Sequence, residues 1–342
     1  MKKILFLHQG WTGFEENDWE ILKNNFCAED LRFYKDTFFK IPRGIGSIRN
    51  VDAVFCWFAS RSALIPLLFA KFFKKKIILV VGGWDCVNAP EINYGAFRKG
   101  LRFFPTRAIT RYIITLADRI IAVSEFNKRE IITNCKIPSD RISMIYQGIP
   151  LCSCGGAENI KKERSVLTVG NIIENNLKRK GLATFIKAAA MLPEIKFFMV
   201  GYLDKRMARY LQGSVTDNVI ITGRVSNEVL CQFYSRATVY VQVSYHEQFG
   251  RSLAEAMAHR CVPVVTSTSA LPEVVGQAGY YVPYDDAGEL SRAIIKALDD
   301  TQTGALAQER VKELFSFAAR KQALCDLVEQ VCREGKPLAR KP

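Results

Sequence analysis

The chain has 342 residues, of which 49% are hydrophobic and 24% charged, and its formal net charge is +14. This balance is typical of a globular protein, and the length is sufficient for two hydrophobic cores. Its apolar runs are shorter than the roughly 20 residues that span a membrane, and the N-terminal run is too short for a signal peptide. With three histidines and no CxxC pair, no metal site is expected. We therefore expect a cytoplasmic protein.

Short apolar strands alternate with helical segments through the first half of the chain, which is typical of parallel α/β architecture. Strands are predicted at Lys3–Leu7, Leu31–Tyr34, Ala53–Trp57, Ile77–Val81, Arg119–Val123 and Ile142–Ile145. Helices are predicted at Asp18–Phe26, Ser60–Phe73, Tyr94–Leu116 and Ser124–Asn134.

The same alternation resumes after a stretch rich in Gly and Pro, which we interpret as a linker at residues 149–164. Strands are predicted at Ser165–Val169, Lys196–Val200, Val219–Thr222, Thr238–Val243, Val262–Thr266 and Gly279–Val282. Helices are predicted at Leu182–Met191, Lys205–Leu211, Asn227–Ser235, Arg251–His259, Asp286–Leu298 and Ala307–Arg333. The pattern predicts two Rossmann-like domains, residues 1–148 and 165–320, followed by a C-terminal helix and basic tail at 321–342.

The segment Glu247-Gln-Phe-Gly-Arg-Ser-Leu-Ala-Glu255 places two carboxylates eight positions apart, across a turn and into a predicted helix. Gly250 permits close approach of the backbone to a ligand. The free N–H groups of the first helical turn favour an anion such as a diphosphate. A helix dipole alone also favours acidic residues in a first turn, so the spacing by itself does not identify a site.

Together with what surrounds it, this segment resembles the Glu-x7-Glu signature of the retaining glycosyltransferases of family 4. The flanking matches are Phe249-Gly250, Glu255-Ala-Met-Ala258, the strand Pro263-Val-Val265 and Leu271-Pro-Glu-Val-Val-Gly276. The resemblance implies the GT-B fold, in which two doubly wound Rossmann-like domains face each other across a cleft and the last helix returns to the first domain. It implies that Glu247 and the backbone of Phe249, Gly250 and Arg251 bind the transferred sugar, and that Glu255 binds the ribose.

A second element follows the predicted strand Ser165–Val169, where a glycine turn at Gly170 leads to a basic cluster and Gly181. It is similar to a family element in which an arginine just after the first glycine and a lysine before the second hold the donor diphosphate. Lys180 matches that lysine, but Asn171 occupies the arginine position. Lys178 and Arg179 are both candidates to supply the missing charge. The alternative is a solvated cationic turn without a ligand.

In this family the loop after the third strand of the second domain lies against the nucleotide base. The corresponding loop here is Gly223-Arg224-Val225, so Arg224 and the backbone of Val225 are candidates for base contact. An ordinary surface arginine is an equally good interpretation of Arg224.

The predicted acceptor side departs from the family pattern. Many members carry a histidine after the fourth strand, where this chain has Gly82-Gly83-Trp84-Asp85. Asp85 is the local candidate for the general base that deprotonates the acceptor hydroxyl, although an aspartate there also caps turns. Besides Gly83 and Trp84, the acceptor side includes the loop after the first strand, with His8, Gly10 and Gly13.

The resemblance implies a reaction that retains the anomeric configuration, with a hexose donated by a UDP- or GDP-sugar. No DxD sequence is present, which fits metal-independent transfer without a cofactor. The expected acceptor is a glycan or a lipid-linked sugar in surface-glycan assembly. A sugar-nucleotide epimerase of the same fold and a non-catalytic partner that binds nucleotide sugars are the alternatives.

The basic stretch Arg98–Ile114 interleaves cations with Phe, Ile and Tyr, a pattern that fits an anionic membrane surface on which a peripheral enzyme rests. A core helix with a basic outer side accounts for it equally well. Nucleic acid is not an expected partner, because no nucleic-acid-binding motif is present.

Overall fold

The computed structural model describes residues 1–33, 41–150, 161–213 and 215–334. Residues 151–160 of the predicted linker, the predicted strand end at Tyr34 and the basic tail from residue 335 lie outside the described residues. The chain divides into two compact units. One comprises Met1–Gly148 together with Ala318–Pro342, and the other comprises Ile149–Phe317.

The first unit is built on a six-stranded parallel sheet with strand order β2-β1-β3-β4-β5-β6. Its strands are β1 (Lys3–His8), β2 (Cys27–Arg32), β3 (Ala53–Trp57), β4 (Lys76–Val80), β5 (Arg119–Ala122) and β6 (Ile142–Met144). Its first helices are α1 (Gly13–Asn25), α2 (Ile41–Arg49), α3 (Leu64–Phe72), α4 (Phe104–Leu116) and α5 (Glu125–Glu130). Every residue of β3 is buried, because a central parallel strand is covered on both faces.

The second unit repeats this architecture, with strand order β12-β11-β10-β7-β8-β9 and all pairs parallel. Its strands are β7 (Glu163–Val169), β8 (Lys196–Val200), β9 (Val219–Gly223), β10 (Ala237–Gln242), β11 (Val262–Thr266) and β12 (Tyr280–Val282). The helices are α6 (Glu174–Arg179), α7 (Leu182–Ala190), α8 (Lys205–Leu211), α9 (Asn227–Arg236), α10 (Arg251–Ala258), α11 (Leu271–Val275), α12 (Ala287–Leu298) and α13 (Thr301–Leu314).

The last helix, α14 (Phe317–Arg333), belongs to the first unit apart from its first residue. Arg320 on this helix forms a two-pronged ion pair with Asp18 of α1, with distances of 2.6 Å from Nε to Oδ1 and 2.7 Å from Nη2 to Oδ2. Both side chains are almost fully buried, and Trp57 donates its indole N–H to the same carboxylate at 2.9 Å. The C-terminal helix is thus fastened to the first unit by a buried charge pair.

Two predicted helices are wrong in their extent. The prediction Tyr94–Leu116 gives way to a turn and a short 3-10 segment before α4, because Gly95 and Gly100 adopt φ values of +107° and +108°, outside the helical region. The prediction Ala307–Arg333 is interrupted at Phe315 and Ser316. There the carbonyl of Phe315 accepts the N–H of Ile149 at 2.8 Å, so the chain leaves the helix.

The second strand is also displaced, since it spans Cys27–Arg32 instead of beginning at Leu31. It lies at the edge of its sheet, where several side chains are exposed, so it lacks the apolar pattern that marks a central strand. Within the described residues, no helix combines the length and the apolar character that crossing a bilayer requires.

Candidate functional site

Glu247 lies in the turn between β10 and α10 of the second unit. Its backbone N–H donates to the hydroxyl of Ser269 at 3.1 Å, and its carboxylate Oε1 accepts a hydrogen bond from Ser244 at 3.2 Å. Residues that follow β10 and β11 therefore hold the side chain and the backbone of this glutamate, respectively. Only 14% of the side chain is exposed.

Two cations accompany this carboxylate, and we call Glu247, Lys180 and Arg179 the Glu247 cluster. Nζ of Lys180 lies 3.3 Å from Oε1, and Nη1 of Arg179 lies 3.9 Å from the same atom. Burial by itself would raise the pKa of Glu247, but the charges of Lys180 and Arg179 outweigh it, so the pKa is lowered. Two positive charges against one negative leave a positive surplus that favours an anionic ligand.

The loop after β7 positions the cations through a residue that the sequence analysis did not select. Asn176 is buried, donates its side-chain N–H to the carbonyl of Asn171 at 2.6 Å, and accepts from the Arg179 guanidinium at 2.9 and 3.1 Å. The carbonyl of Lys178 accepts from the Tyr284 hydroxyl at 2.9 Å, while the Lys178 side chain is exposed. Of the two candidates for the missing charge, the structure brings Arg179 to Glu247.

Gly170 is close to the lysine of this cluster. A Cβ atom at Gly170 would lie 3.0 Å from Cδ and 3.3 Å from Nζ of Lys180, so the lysine chain lies against bare backbone. Any larger side chain there would displace the cation. This contact with Lys180 explains why position 170 is a glycine, whether or not the turn also requires one.

The second carboxylate of the signature, Glu255, has its own partners. It accepts from Nε of Arg251 at 2.6 Å and from the Tyr234 hydroxyl at 3.0 Å. Between the two glutamates, Phe249 is buried against Phe315, and Gly250 adopts φ = +93° with Leu271 packed next to it. Arg251, the first residue of α10, is thus paired with Glu255 one turn further along the same helix.

The first unit contains a cavity of about 550 Å³ at the carboxyl ends of its strands. Four aromatic rings line it, those of Phe14, Phe58, Trp84 and Tyr94. Its polar lining comes from Gln9, Ser60, Arg61, Asp85 and Thr106. Such a mixture of rings and a few polar groups is typical of a site for a small organic ligand.

Asp85 is buried beside this cavity, with 3% of its surface exposed. Its two carboxylate oxygens accept the backbone N–H groups of Ala59 and Gly83 at 2.9 and 3.0 Å. Burial raises the pKa of Asp85 to about 6, and these backbone hydrogen bonds oppose the rise only in part. The aspartate therefore holds the turn and is also mostly ionised at neutral pH, so both of its predicted roles are compatible with this geometry.

Comparison with known proteins gives the same two-part organisation. The description "Glycosyltransferase Family 4" matches residues 9–151, and "Glycosyl transferases group 1" matches residues 163–300. The chain belongs to these glycosyltransferases. Anabaena HepE, solved with UDP and glucose, superposes with a TM-score of 0.77 at 16% identity, covering 96% of this chain and all of HepE. The predicted GT-B fold is confirmed by this likeness.

Three relatives illustrate the range of enzymes that this glycosyltransferase resembles. An uncharacterized glycosyltransferase of Methanocaldococcus jannaschii is 28% identical over 275 residues, which are 75% of this chain and 69% of the relative. The O-antigen chain mannosyltransferase B of Escherichia coli is 26% identical over 213 residues, which are 57% of this chain and 55% of that enzyme. The capsular polysaccharide biosynthesis glycosyltransferase CapM of Staphylococcus aureus is 25% identical over 242 residues, which are 64% of this chain and 63% of that enzyme.

Several predicted residues of the glycosyltransferase lie apart from these two sites. Arg224 is exposed and Val225 half-buried after β9, and no described contact joins either residue to the Glu247 cluster. His8 is buried, pairs with Asp30 at 3.2 Å and stacks on Trp11 at 3.9 Å. Gln9 lines the cavity of the first unit, whereas His8, Gly10 and Gly13 are not part of its lining.

Glu15 and Phe58 are notable residues of the first unit that the sequence analysis did not select. Glu15 is buried, and burial raises its pKa to about 7 against the hydrogen bond from Thr12. The spacing Thr12-x-x-Glu15, a capping-box pattern, was the available signal. Phe58 has φ = +68°, which no sequence pattern indicates.

Among the residues that the structure covers, no three His, Cys, Asp or Glu side chains are grouped as metal ligands.

Proposed function

We propose that this glycosyltransferase transfers a hexose from a UDP- or GDP-sugar to an acceptor hydroxyl during surface-glycan assembly. The observation that carries the proposal is the Glu247 cluster, in which a partly buried carboxylate lies beside two cations at the carboxyl ends of β7 and β10. Ligands of open α/β sheets bind at this edge. The complex of HepE with UDP and glucose, and the name of the O-antigen mannosyltransferase, support a nucleotide-sugar donor and a glycan product.

In this proposal the cations of the cluster receive the donor diphosphate. Lys180 and Arg179 neutralise the charge that grows on the leaving phosphate, as fixed cations do most effectively in a partly buried site. Glu247 then accepts hydrogen bonds from hydroxyl groups of the sugar, and the backbone groups of residues 249–251 contact the same sugar. Glu255 contacts the ribose, and Arg224 with Val225 contacts the base.

The chemical step that we infer retains the anomeric configuration and uses no metal ion. The bond from the anomeric carbon to the diphosphate oxygen breaks with its electron pair, which stays on the diphosphate. The acceptor oxygen forms its bond to the same face of that carbon. Its proton passes to a diphosphate oxygen or to Asp85, whose raised pKa of about 6 makes it a better proton acceptor than an ordinary aspartate.

The acceptor in this proposal enters the cavity of the first unit, where aromatic rings stack on the apolar faces of sugars. A glycan or a lipid-linked sugar fits this lining of rings, amide and hydroxyl groups. We infer that the enzyme works in the cytoplasm and, as a peripheral protein, on the inner face of the membrane.

A thermal-shift screen of the whole protein with UDP, GDP, ADP and their sugar conjugates tests the donor site, since a ligand of the folded state raises the melting temperature. We expect a shift with UDP or GDP that is clearly reduced in Lys180→Ala. Lys205→Ala, at the exposed start of α8, is the matched control and should keep the shift. No shift with any nucleotide would contradict the donor assignment. Conversion of a sugar nucleotide to its epimer without an acceptor would contradict transfer.

A further inference from the structure

The outer face of α4 in the first unit is apolar, although it is exposed. Phe104, Ala108 and Tyr112 follow one another at helical spacing, and Phe104 and Tyr112 are 57% and 50% exposed. The opposite face, with Thr110, Ile113 and Ile114, is buried. Leu101, just before the helix, is 93% exposed. A solvated surface helix would carry charged or polar residues on this outer face.

The neighbouring helix α3 also carries exposed apolar side chains. The side chain of Arg61, just before α3, donates to Thr106 of α4, and Lys71 near the end of α3 pairs with Asp118 at 3.0 Å, just after α4. The two helices therefore lie side by side and run in the same direction. Leu68 and Phe72 of α3 are 39% and 77% exposed. We call Leu68, Phe72, Leu101, Phe104 and Tyr112 the α3–α4 surface.

The charged side chains within α4 and just before it in the sequence are all cationic. Between Asn93 and Ala117 the sequence contains no Asp or Glu but five cations, which are Arg98, Lys99, Arg102, Arg107 and Arg111. The Arg98 guanidinium lies 4.1 Å from the ring of Phe103, and those of Arg102 and Arg107 lie 5.8 Å from Phe103 and Phe104. Cations thus lie next to the half-buried ring of Phe103 and the exposed ring of Phe104, and the stretch lacks the acidic residues that a salt-bridged water-facing surface would include.

We propose that the α3–α4 surface binds an anionic bilayer, with Leu101 and Phe104 entering the interface and the arginines contacting lipid phosphates. Exposed rings gain apolar burial there, and each cation near the surface adds attraction to anionic lipid. A basic surface for nucleic acid would not need the protruding Leu101 and Phe72. A second copy of this chain would bring its own arginines against these, which like charges disfavour.

The position of the surface also indicates the class of acceptor, a step that rests on the proposed function. Arg61 and Thr106 line the cavity of the first unit, and they belong to the same two helical segments that carry the surface. A membrane-bound enzyme would therefore hold this cavity next to the bilayer. The acceptor is accordingly a sugar carried on a bilayer-anchored lipid.

Flotation of the full chain with vesicles tests the surface, using phosphatidylcholine alone and phosphatidylcholine mixed with phosphatidylglycerol. We expect binding to the anionic vesicles only, and its loss in the double variant Leu101→Ser with Phe104→Ser. Leu306→Ser is the control, since Leu306 is 60% exposed on α13 of the second unit and should leave binding unchanged. Arg102→Gln should weaken anionic binding about fivefold, the effect of one interfacial cation. Thermal melting of each variant verifies folding.

Three results would overturn this proposal. The first is wild-type protein that does not float with anionic vesicles. The second is flotation that the double variant retains. The third is a double variant that loses self-association, measured by sedimentation, while vesicle binding is absent, since a second copy would then occupy the surface. The nucleotide thermal shift measured on the same samples keeps the two proposals apart. A protein that binds UDP or GDP but not vesicles contradicts only the membrane surface.

Discussion

Both units place acidic side chains at the carboxyl edge of a parallel sheet, but the pKa values of these acids are shifted in opposite directions. In the second unit, Lys180 and Arg179 lower the pKa of Glu247 despite its burial. In the first unit, burial raises the pKa of Asp85 to about 6 and that of Glu15 to about 7. The surroundings, and not the residue type, decide the direction.

This difference fits two kinds of ligand. A cation-rich edge suits a diphosphate, whose charge needs fixed partners throughout the reaction. An edge with aromatic rings and weakly acidic carboxyl groups suits a neutral hydroxyl compound, from which a proton must be removed. The predictions below test this division, from the largest expected effect to the smallest.

Glu247→Gln should reduce the transfer rate about a thousandfold, because the neutral amide cannot balance both cations or accept as strongly from sugar hydroxyls. The amide keeps the size of the side chain and the hydrogen bond from Ser244, so the melting temperature should stay close to that of the wild type. Glu289→Gln, on the surface of α12, serves as the control. Wild-type turnover in Glu247→Gln would show that transfer does not need the paired carboxylate of the second unit.

Arg320→Ala should destabilise the protein by about 3 kcal/mol or more, because it leaves the buried carboxylate of Asp18 without its cation. Asp18 is thus an acid of the first unit that does have a buried cationic partner, and this pair serves stability. Urea unfolding measures the loss. Arg333→Ala removes an exposed pair of the same helix and should cost less than about 1 kcal/mol. Equal effects of the two substitutions would show that burial does not set the value of this pair.

Asp85→Asn should lower the transfer rate about a hundredfold if the aspartate accepts the acceptor proton. In the wild type, kcat/KM should fall as the pH drops below about 6, the raised pKa of Asp85, and the variant should lose this limb of the profile. A variant with a lower melting temperature but an unchanged pH profile would assign Asp85 to holding the turn between Ala59 and Gly83.

Lys180→Ala should weaken binding of the donor diphosphate by about 2 kcal/mol, which is roughly thirtyfold, as expected for a lost charged hydrogen bond. The substitution should also raise the pKa of Glu247, because Arg179, at 3.9 Å, is then the cation of the cluster that remains beside the carboxylate. Calorimetric titration with the nucleotide measures the affinity. Lys178→Ala is an informative control, because the Lys178 side chain is exposed, whereas Lys180 lies 3.3 Å from Glu247. A greater loss in Lys178→Ala would reverse the assignment of the two lysines.

The sequence was sufficient for the alternating strands and helices, and it predicted Lys180 and Glu247 as members of one site, which the structure brings to within 3.3 Å of each other. The roles of Lys180, Glu247 and Asp85 stay predictions. The sequence did not separate Lys178 from Arg179, since that choice depends on which way α6 faces. Nor did it indicate Asn176, whose role arises from contacts that only the folded loop creates. The interruption at Phe315 was equally hidden, because its partner Ile149 lies far away in the sequence.

Glu15→Gln should have the smallest effect, and its sign is specific. The folded-state pKa of Glu15 is about 7, above its ordinary value of 4.5, so the folded protein binds more protons than the unfolded chain between these pH values. Stability therefore falls as the pH rises from about 4.5 to about 7. Gln stays neutral, so the variant should be more stable than the wild type at pH 7.5 but not at pH 4.5. Urea unfolding at both pH values measures this, with Glu16→Gln, the exposed neighbour, as the control. A Glu15→Gln variant that is less stable at pH 7.5 would mean that its charge is compensated within the first unit, as that of Glu247 is in the second.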